Sequence, residues 1–277
     1  MVLPLLVQPE QLAHILEQGS NEYLILDISS SANYQKHHIP GAIHIEPTAL
    51  QCGIPPTPGK IPSEQQLAEL FSSVGLHPDK HVVVYDDEGG GWAGRLIWTL
   101  DVLGHQHYSY VDGGLTAWVT EGHPVESKIS SANATIYVAN IDRQPIAEIE
   151  DIIPNLGSAD FAIWDARSAE EYQGEKVFSK QGGHIPGAIN IDWLELMDPA
   201  RNLRLVDLEQ LQERLNAAGL TKDKTIVTHC QTHHRSGLSY LLMKILGYTA
   251  IKGYHGSWSE WGNLDSTPIT NPTLDRN

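Results

Sequence analysis

The chain has 277 residues, 41% hydrophobic, with 24 Gly and 16 Pro, a composition that suits a globular protein rich in turns and a length that fits two α/β domains. Its formal charge of −16 opposes nucleic acid and anionic lipid, which are held mainly through Lys and Arg, and no run reaches the ~18 apolar residues of a membrane span. Two cysteines, Cys52 and Cys230, exclude a disulfide framework and point to a reducing compartment, the cytoplasm.

Met1 to Glu10 is apolar in part but lacks a basic n-region and a small-residue cleavage site, so it is not read as a signal peptide. Tyr23 to Asp27 reads as a buried strand, followed by His38-Ile39-Pro40-Gly41-Ala42-Ile43. Cys52 lies in a Pro-rich segment with no basic neighbour before Lys60 and is read as inert. Helical periodicity runs over 63–74 and 92–103, on either side of a strand at 82–86. Between strand and helix, Gly89 to Gly94 matches the pattern G-x-G-x-x-G, but Asp86, Asp87 and Glu88 would repel a pyrophosphate, so the glycines are assigned to turn geometry. Trp118, Trp258 and Trp261, beside glycines at helical positions, are assigned to core packing. The polar, aperiodic stretch Glu126 to Ala134 divides the chain into a domain at 1–126, a linker at 127–136 and a second domain at 137–277.

The second half repeats the first. A strand ends at Asp165 as the earlier one ends at Asp27, and His184-Ile185-Pro186-Gly187-Ala188-Ile189 repeats the His38 motif. Extra residues at Gly174 to Gly183, with Lys176 and Lys180, read as either a solvated loop or a basic rim that recruits anions, and the two motif histidines as partners in turn or core hydrogen bonds. A helix is predicted over 207–218, a strand over 225–228 and an amphipathic helix over 238–246. Strand and helix alternating twice predict two parallel sheets, each covered by helices on both faces.

Cys230 stands where the last of these strands turns into a helix. Such a loop aims backbone N–H groups and the positive helix end at one spot, and Arg235 adds charge, so the thiol is predicted to ionise and act as a nucleophile. Its positional counterpart in the first copy is Asp86, which predicts a first domain without this chemistry.

Together these segments resemble the rhodanese family, in particular tandem-domain thiosulfate sulfurtransferases of a bacterial type with the loop Cys230-Gln231-Thr232-His233-His234-Arg235-Ser236. The resemblance covers nearly the whole chain and includes both Ile-Pro-Gly-Ala motifs and the ending Gly256 to Gly262. It implies a five-stranded parallel sheet in each domain and an active C-terminal domain. It also implies that Cys230 takes sulfane sulfur from thiosulfate as a persulfide and passes it to cyanide, a thiol or a thioredoxin-like protein. The backbone N–H groups of Gln231, Thr232, His233, His234, Arg235 and Ser236 would cradle that sulfur. Arg235 and Arg167, the latter matching an arginine of the family, would bind the donor, with His233 and His234 adding positive character when protonated. No cofactor or metal is expected, since adjacent histidines seldom face one ion and the paired Cys-x₂-Cys spacing is absent.

Two other functions share these residues. The cysteine phosphatase signature is His-Cys-x₅-Arg-Ser/Thr, whereas His229-Cys230 and Arg235-Ser236 enclose one residue fewer, a tighter cradle suited to a single sulfur. A carrier that holds a persulfide without turnover would need every residue cited. The physiological donor and acceptor, 3-mercaptopyruvate included, and the oligomeric state are not legible in the sequence.

Overall fold

The structure is a computed structural model that describes residues 3–19 and 22–274, so Met1 and Val2 of the apolar start lie outside it. Contacts divide the chain into two compact units, and each takes in one segment from the other half of the repeat. The first unit is Met1–Leu50, Pro62–Asp142 and Met197–Leu205; the second is Gln51–Ile61, Arg143–Leu196 and Val206–Asn277.

The first unit contains β1 (Leu6–Val7), α1 (Pro9–Glu17), β2 (Tyr23–Asp27), α2 (Ser31–Lys36), β3 (Ile43–His44), α3 (Glu64–Ser73), β4 (His81–Tyr85), α4 (Gly91–Val102), β5 (Tyr108–Val111) and α5 (Gly114–Thr120). Its five strands pair in parallel in the order β1-β5-β4-β2-β3. Val82 to Tyr85 are all buried, which is why this strand shows no polar alternation and sits in the centre. Val83 and Tyr85 share a core with Leu12 of α1 and with Leu115 and Trp118 of α5. α4 lies against β4 and β5 and buries nearly every residue from Gly91 to Val102.

The segment 127–136, read as a linker, is hydrogen-bonded into this unit. Thr135 donates its N–H to the Ser72 carbonyl (3.0 Å) and its hydroxyl to that of Leu76 (2.7 Å), and Ser130 N–H donates to the Tyr34 hydroxyl (3.3 Å). Polar, aperiodic chain meets its hydrogen-bonding needs here on a domain surface rather than in water.

The second unit repeats the plan with β6 (Ile146–Ala147), α6 (Ile149–Ile152), β7 (Phe161–Asp165), α7 (Ala169–Gln173) and β8 (Ile189–Asn190). An antiparallel pair, β9 (Met197–Asp198) and β10 (Arg204–Leu205), then belongs to the first unit. The chain continues with α8 (Leu208–Ala217), β11 (Thr225–His229), α9 (Arg235–Ile245), β12 (Ile251–Tyr254) and α10 (Ser257–Trp261). The parallel order is β6-β12-β11-β7-β8. Trp258 and Trp261 are buried in one core with Ile163 and Val227, as their spacing predicted.

One helix departs from its sequence pattern. α9 was expected to be amphipathic over 238–246, yet Ser236 to Met243 are all buried. It lies against β11 and β12 and against a 3₁₀ turn at Trp193–Leu196, so two sides of it are covered. Among the described residues no helix is long and apolar enough to cross a membrane.

Candidate active site

β11 is the middle strand of its sheet, and Ile226 to His229 are buried along it. Cys230 is the next residue, at the carboxyl end of the strands where ligands gather in open α/β sheets. It is 1% exposed. Burial pushes the thiol pKa up. The Arg235 guanidinium, the Ser236 N–H and hydroxyl and the Thr232 N–H outweigh that and leave it below the ordinary thiol value. A sulfur set among amides and facing one cation has its ionised form favoured.

The loop is held by its neighbours. Cys230 N–H donates to Ser257 Oγ (3.3 Å), Trp258 N–H to the Cys230 carbonyl (3.0 Å) and Ser259 N–H to the Gln231 carbonyl (2.9 Å). The turn from β12 into α10 therefore backs the loop, and Ser257 itself has φ 52. His233 has φ 57, so two non-glycine residues in the left-handed region flank the sulfur, strain of the kind that collects at functional sites.

His233 is buried, with Nδ1 at 2.8 Å from Ser236 Oγ. The Ser236 hydroxyl has one proton, and with that proton directed at the sulfur, Nδ1 must be the donor to Oγ. His233, expected to add positive character toward the donor, is thus buried against Ser236, where it orients the cradle. His234 sits at the start of α9 beside Trp193, with ring centroids 5.7 Å apart.

Arg235 is 20% exposed and forms a two-pronged pair with Glu171, Nη1 to Oε2 at 2.6 Å and Nη2 to Oε1 at 2.9 Å. Glu171 is 3% exposed; burial raises its pKa, and the Arg235 hydrogen bonds and charge hold it below the ordinary range. The sequence carried no signal for this partner, which reaches the loop from α7.

Arg167, expected to bind the donor, turns inward: it is 1% exposed, with Nε and Nη2 on Asp165 (2.9 and 2.6 Å), Nη2 on the Gly183 carbonyl (2.9 Å) and its guanidinium 4.3 Å from the Trp258 ring. The side chain turns back to neutralise Asp165 because that carboxylate is wholly buried and has no water to solvate it. His229 Nε2 lies 3.6 Å from the same carboxylate. Burial brings the His229 pKa down to about 4, so at neutral pH the imidazole is uncharged and Arg167 is the cation that balances Asp165. Asp165→Asn is expected to cost about 3–5 kcal/mol of stability by urea unfolding, because it strands a buried guanidinium, and a cost below about 1 kcal/mol would refute the pairing.

In the first unit the corresponding loop closes on a carboxylate. Asp86 follows β4 as Cys230 follows β11, and its carboxylate fills its own loop. Oδ1 accepts from the N–H groups of Glu88 (3.2 Å), Gly89 (3.1 Å) and Gly90 (2.9 Å), and Oδ2 from Ala93 (2.9 Å). Gly89 and Gly90 take φ 96 and 109 to aim these amides, as turn geometry required. The motif histidines are structural as expected: His38 Nδ1 lies 2.7 Å from the Tyr34 carbonyl and His184 Nδ1 2.8 Å from that of Tyr172.

Two copies of the Rhodanese-like domain match the chain, at residues 8–121 and 148–264, so the chain belongs to the rhodanese family. It is 49% identical over 267 residues to the thiosulfate sulfurtransferase of Azotobacter vinelandii, covering 96% of this chain and 97% of that one. It is 47% identical over 268 residues to the thiosulfate sulfurtransferase of Pseudomonas aeruginosa, covering 96% and 97%. Among solved structures, the anaerobic ergothioneine biosynthesis enzyme from Chlorobium limicola superposes with a TM-score of 0.86 at 19% identity, over 96% of this chain and 70% of that one, a likeness of fold.

Proposed function

We propose that the chain is a thiosulfate sulfurtransferase whose nucleophile is Cys230. The observation that carries this reading is the thiolate cradle, in which the Thr232 and Ser236 amides, the Ser236 hydroxyl and Arg235 converge on one sulfur. The thiolate attacks the outer sulfur of thiosulfate and the S–S bond of the donor breaks. Sulfite leaves with the electron pair, and Cys230 keeps a persulfide anion. Cyanide or a thiol then attacks the terminal sulfur and restores the thiolate, so the cycle needs neither oxidant nor cofactor.

Arg235 serves both half-reactions. Its bonds to Glu171 engage the two terminal nitrogens once each and leave further N–H groups for the sulfonate oxygens of the donor. Its charge also opposes that of the persulfide. The amides supply the remaining stabilisation and stand ready before the charge arrives. A cradle closed by one residue fewer than the phosphatase loop suits a single sulfur over a phosphoryl group. A low-pKa thiol of this kind is best preserved in a reducing compartment, which favours a cytoplasmic reaction.

Intact mass tests the reading. Incubation with thiosulfate is expected to add one sulfur, about 32 Da, to a peptide containing Cys230, and cyanide to remove it, as covalent catalysis requires. A chain that instead hydrolyses aryl phosphates and gains no mass is a phosphatase. One that gains the sulfur and yields it to no small acceptor is a carrier.

A further inference from the structure

Residues 51–61 belong to the unit that carries Cys230, although the segments before and after them belong to the other unit. The segment is closed on itself by Cys52 N–H donating to the Lys60 carbonyl (2.7 Å) and Gly53 N–H to the Pro58 carbonyl (3.0 Å). One end of this strap is clamped to the turn that backs the sulfur loop. Lys60 Nζ lies 2.7 Å from Glu260 Oε1 and 3.2 Å from Glu148 Oε2. Ile61 N–H donates to His255 Nδ1 (3.0 Å), which leaves the His255 proton on Nε2, facing Glu148 Oε1 at 3.1 Å.

The strap also lies on the sulfur loop itself. Gln51 Nε2 donates to the Thr232 carbonyl (3.4 Å), and Gly59 lies so close that a Cβ on it would stand 2.3 Å from the Thr232 oxygen and 2.8 Å from its Cα. Thr232 thus has its N–H on the sulfur and its C=O under the strap, with His233 next to it in the left-handed region.

We infer that the strap 51–61, pinned by Lys60 and pressed onto Thr232 through Gly59, is the positioning element that holds the Thr232 amide on the Cys230 sulfur. This rests on the reading of Cys230 as the sulfur-carrying thiolate. The physical reason is that a left-handed residue such as His233 holds its place only when its surroundings determine it, and the strap supplies that constraint on the Thr232–His233 peptide. Cradle donors act only at hydrogen-bond distance, so a displacement of a few tenths of an ångström weakens the thiolate. The contact at Gly59 is with backbone atoms, which no side-chain rotation relieves. Lys60 and Gly59 are positioning residues; neither is assigned a contact with the donor.

The test uses the full chain with Gly59→Ala, Lys60→Met and Lys60→Arg. The readouts are the pH midpoint of Cys230 alkylation by iodoacetamide, located by peptide mass, and turnover of thiosulfate. Gly59→Ala is expected to raise the midpoint by about one pH unit and to lower kcat/KM roughly tenfold through loss of a cradle hydrogen bond. Lys60→Met is expected to move both in the same direction by less, and Lys60→Arg to restore them, because a guanidinium also pairs with two carboxylates. A merely structural strap would leave the alkylation midpoint of the folded chain in place. A wild-type chain that gains no sulfur at Cys230 overturns the reading of the site. One that gains it while Gly59→Ala and Lys60→Met keep the wild-type midpoint overturns the strap alone.

Discussion

Cys230→Ala is expected to lower thiosulfate-dependent formation of thiocyanate by roughly a thousandfold or more, to the rate of the unassisted reaction, because covalent transfer has no second route. Cys52 does not substitute: it is partly buried, with its sulfur directed to the carbonyls of Thr57 and Pro58, which disfavour a thiolate. Cys230→Ser is expected to be nearly as inactive, since a hydroxyl does not ionise in a cradle tuned to a thiolate. Either variant should fold, because the change removes one buried anion and leaves the Trp258 and Ser259 bonds to the loop backbone in place. Near-ultraviolet circular dichroism checks the fold and thiocyanate release checks the rate. Retention of more than a few per cent of activity by folded Cys230→Ala would end the assignment.

The same thiolate carries a pH signature. Its pKa is depressed in the folded chain, so alkylation of the wild type should reach half its maximum below the ~8.5 of a free thiol. For a group whose folded value is the lower one, its contribution to stability is complete above the free-thiol value and is lost as pH falls through the folded value. The difference in stability between the wild type and Cys230→Ala should therefore shrink on acidification through that window.

Arg235→Ala is expected to have the second-largest effect, on rate and on stability together. Removing the guanidinium takes away the first of the influences that lower the thiol pKa, so the alkylation midpoint should rise and kcat/KM should fall by about a hundredfold, the scale of losing a charged donor that acts in the transition state. It also leaves Glu171 buried without the two bonds at 2.6 and 2.9 Å, a loss of about 3–5 kcal/mol on the scale of broken buried pairs. Arg235→Lys should recover part of the rate but little of the two-pronged pair, because an ammonium is a point charge and not a fork. The double change Arg235→Met with Glu171→Met separates the two roles. Stability should return and the rate should not. Recovery of wild-type rate in the double variant would assign Arg235 to structure only.

The repeat and the rhodanese fold are plain in particular residues. Ile39-Pro40-Gly41-Ala42 and its copy at 185–188, the valines of β4 and the β-branched run of β11 locate the corresponding elements in both halves. Cys230 and the glycines at 89 and 90 were legible because strand, loop and helix are contiguous in the chain, so one short window contains both the nucleophile and the amides that face it. The sequence leaves the side chains of Arg167 and His233 unplaced for a common reason. Their distance from the sulfur along the chain is evident, but the direction of each side chain depends on the partner it meets, Asp165 in one case and Ser236 in the other. Glu171, Ser257 and the strap gave no sequence signal, since each reaches the loop across a long separation in the chain and no residue type marks it.

Alternation of strand and helix, a duplicated motif and one cysteine in a basic loop determined the architecture and the class of reaction, because periodicity and local turn chemistry are written in neighbouring residues. The tertiary structure decided which charges are spent inside the protein and which act on the sulfur. It also showed that Asp86 fills the loop of the other unit with its own carboxylate, and that residues 51–61 take their place beside Thr232. Those outcomes depend on desolvation and close packing between distant segments. Both are properties of atoms brought together in space, and no stretch of sequence contains them.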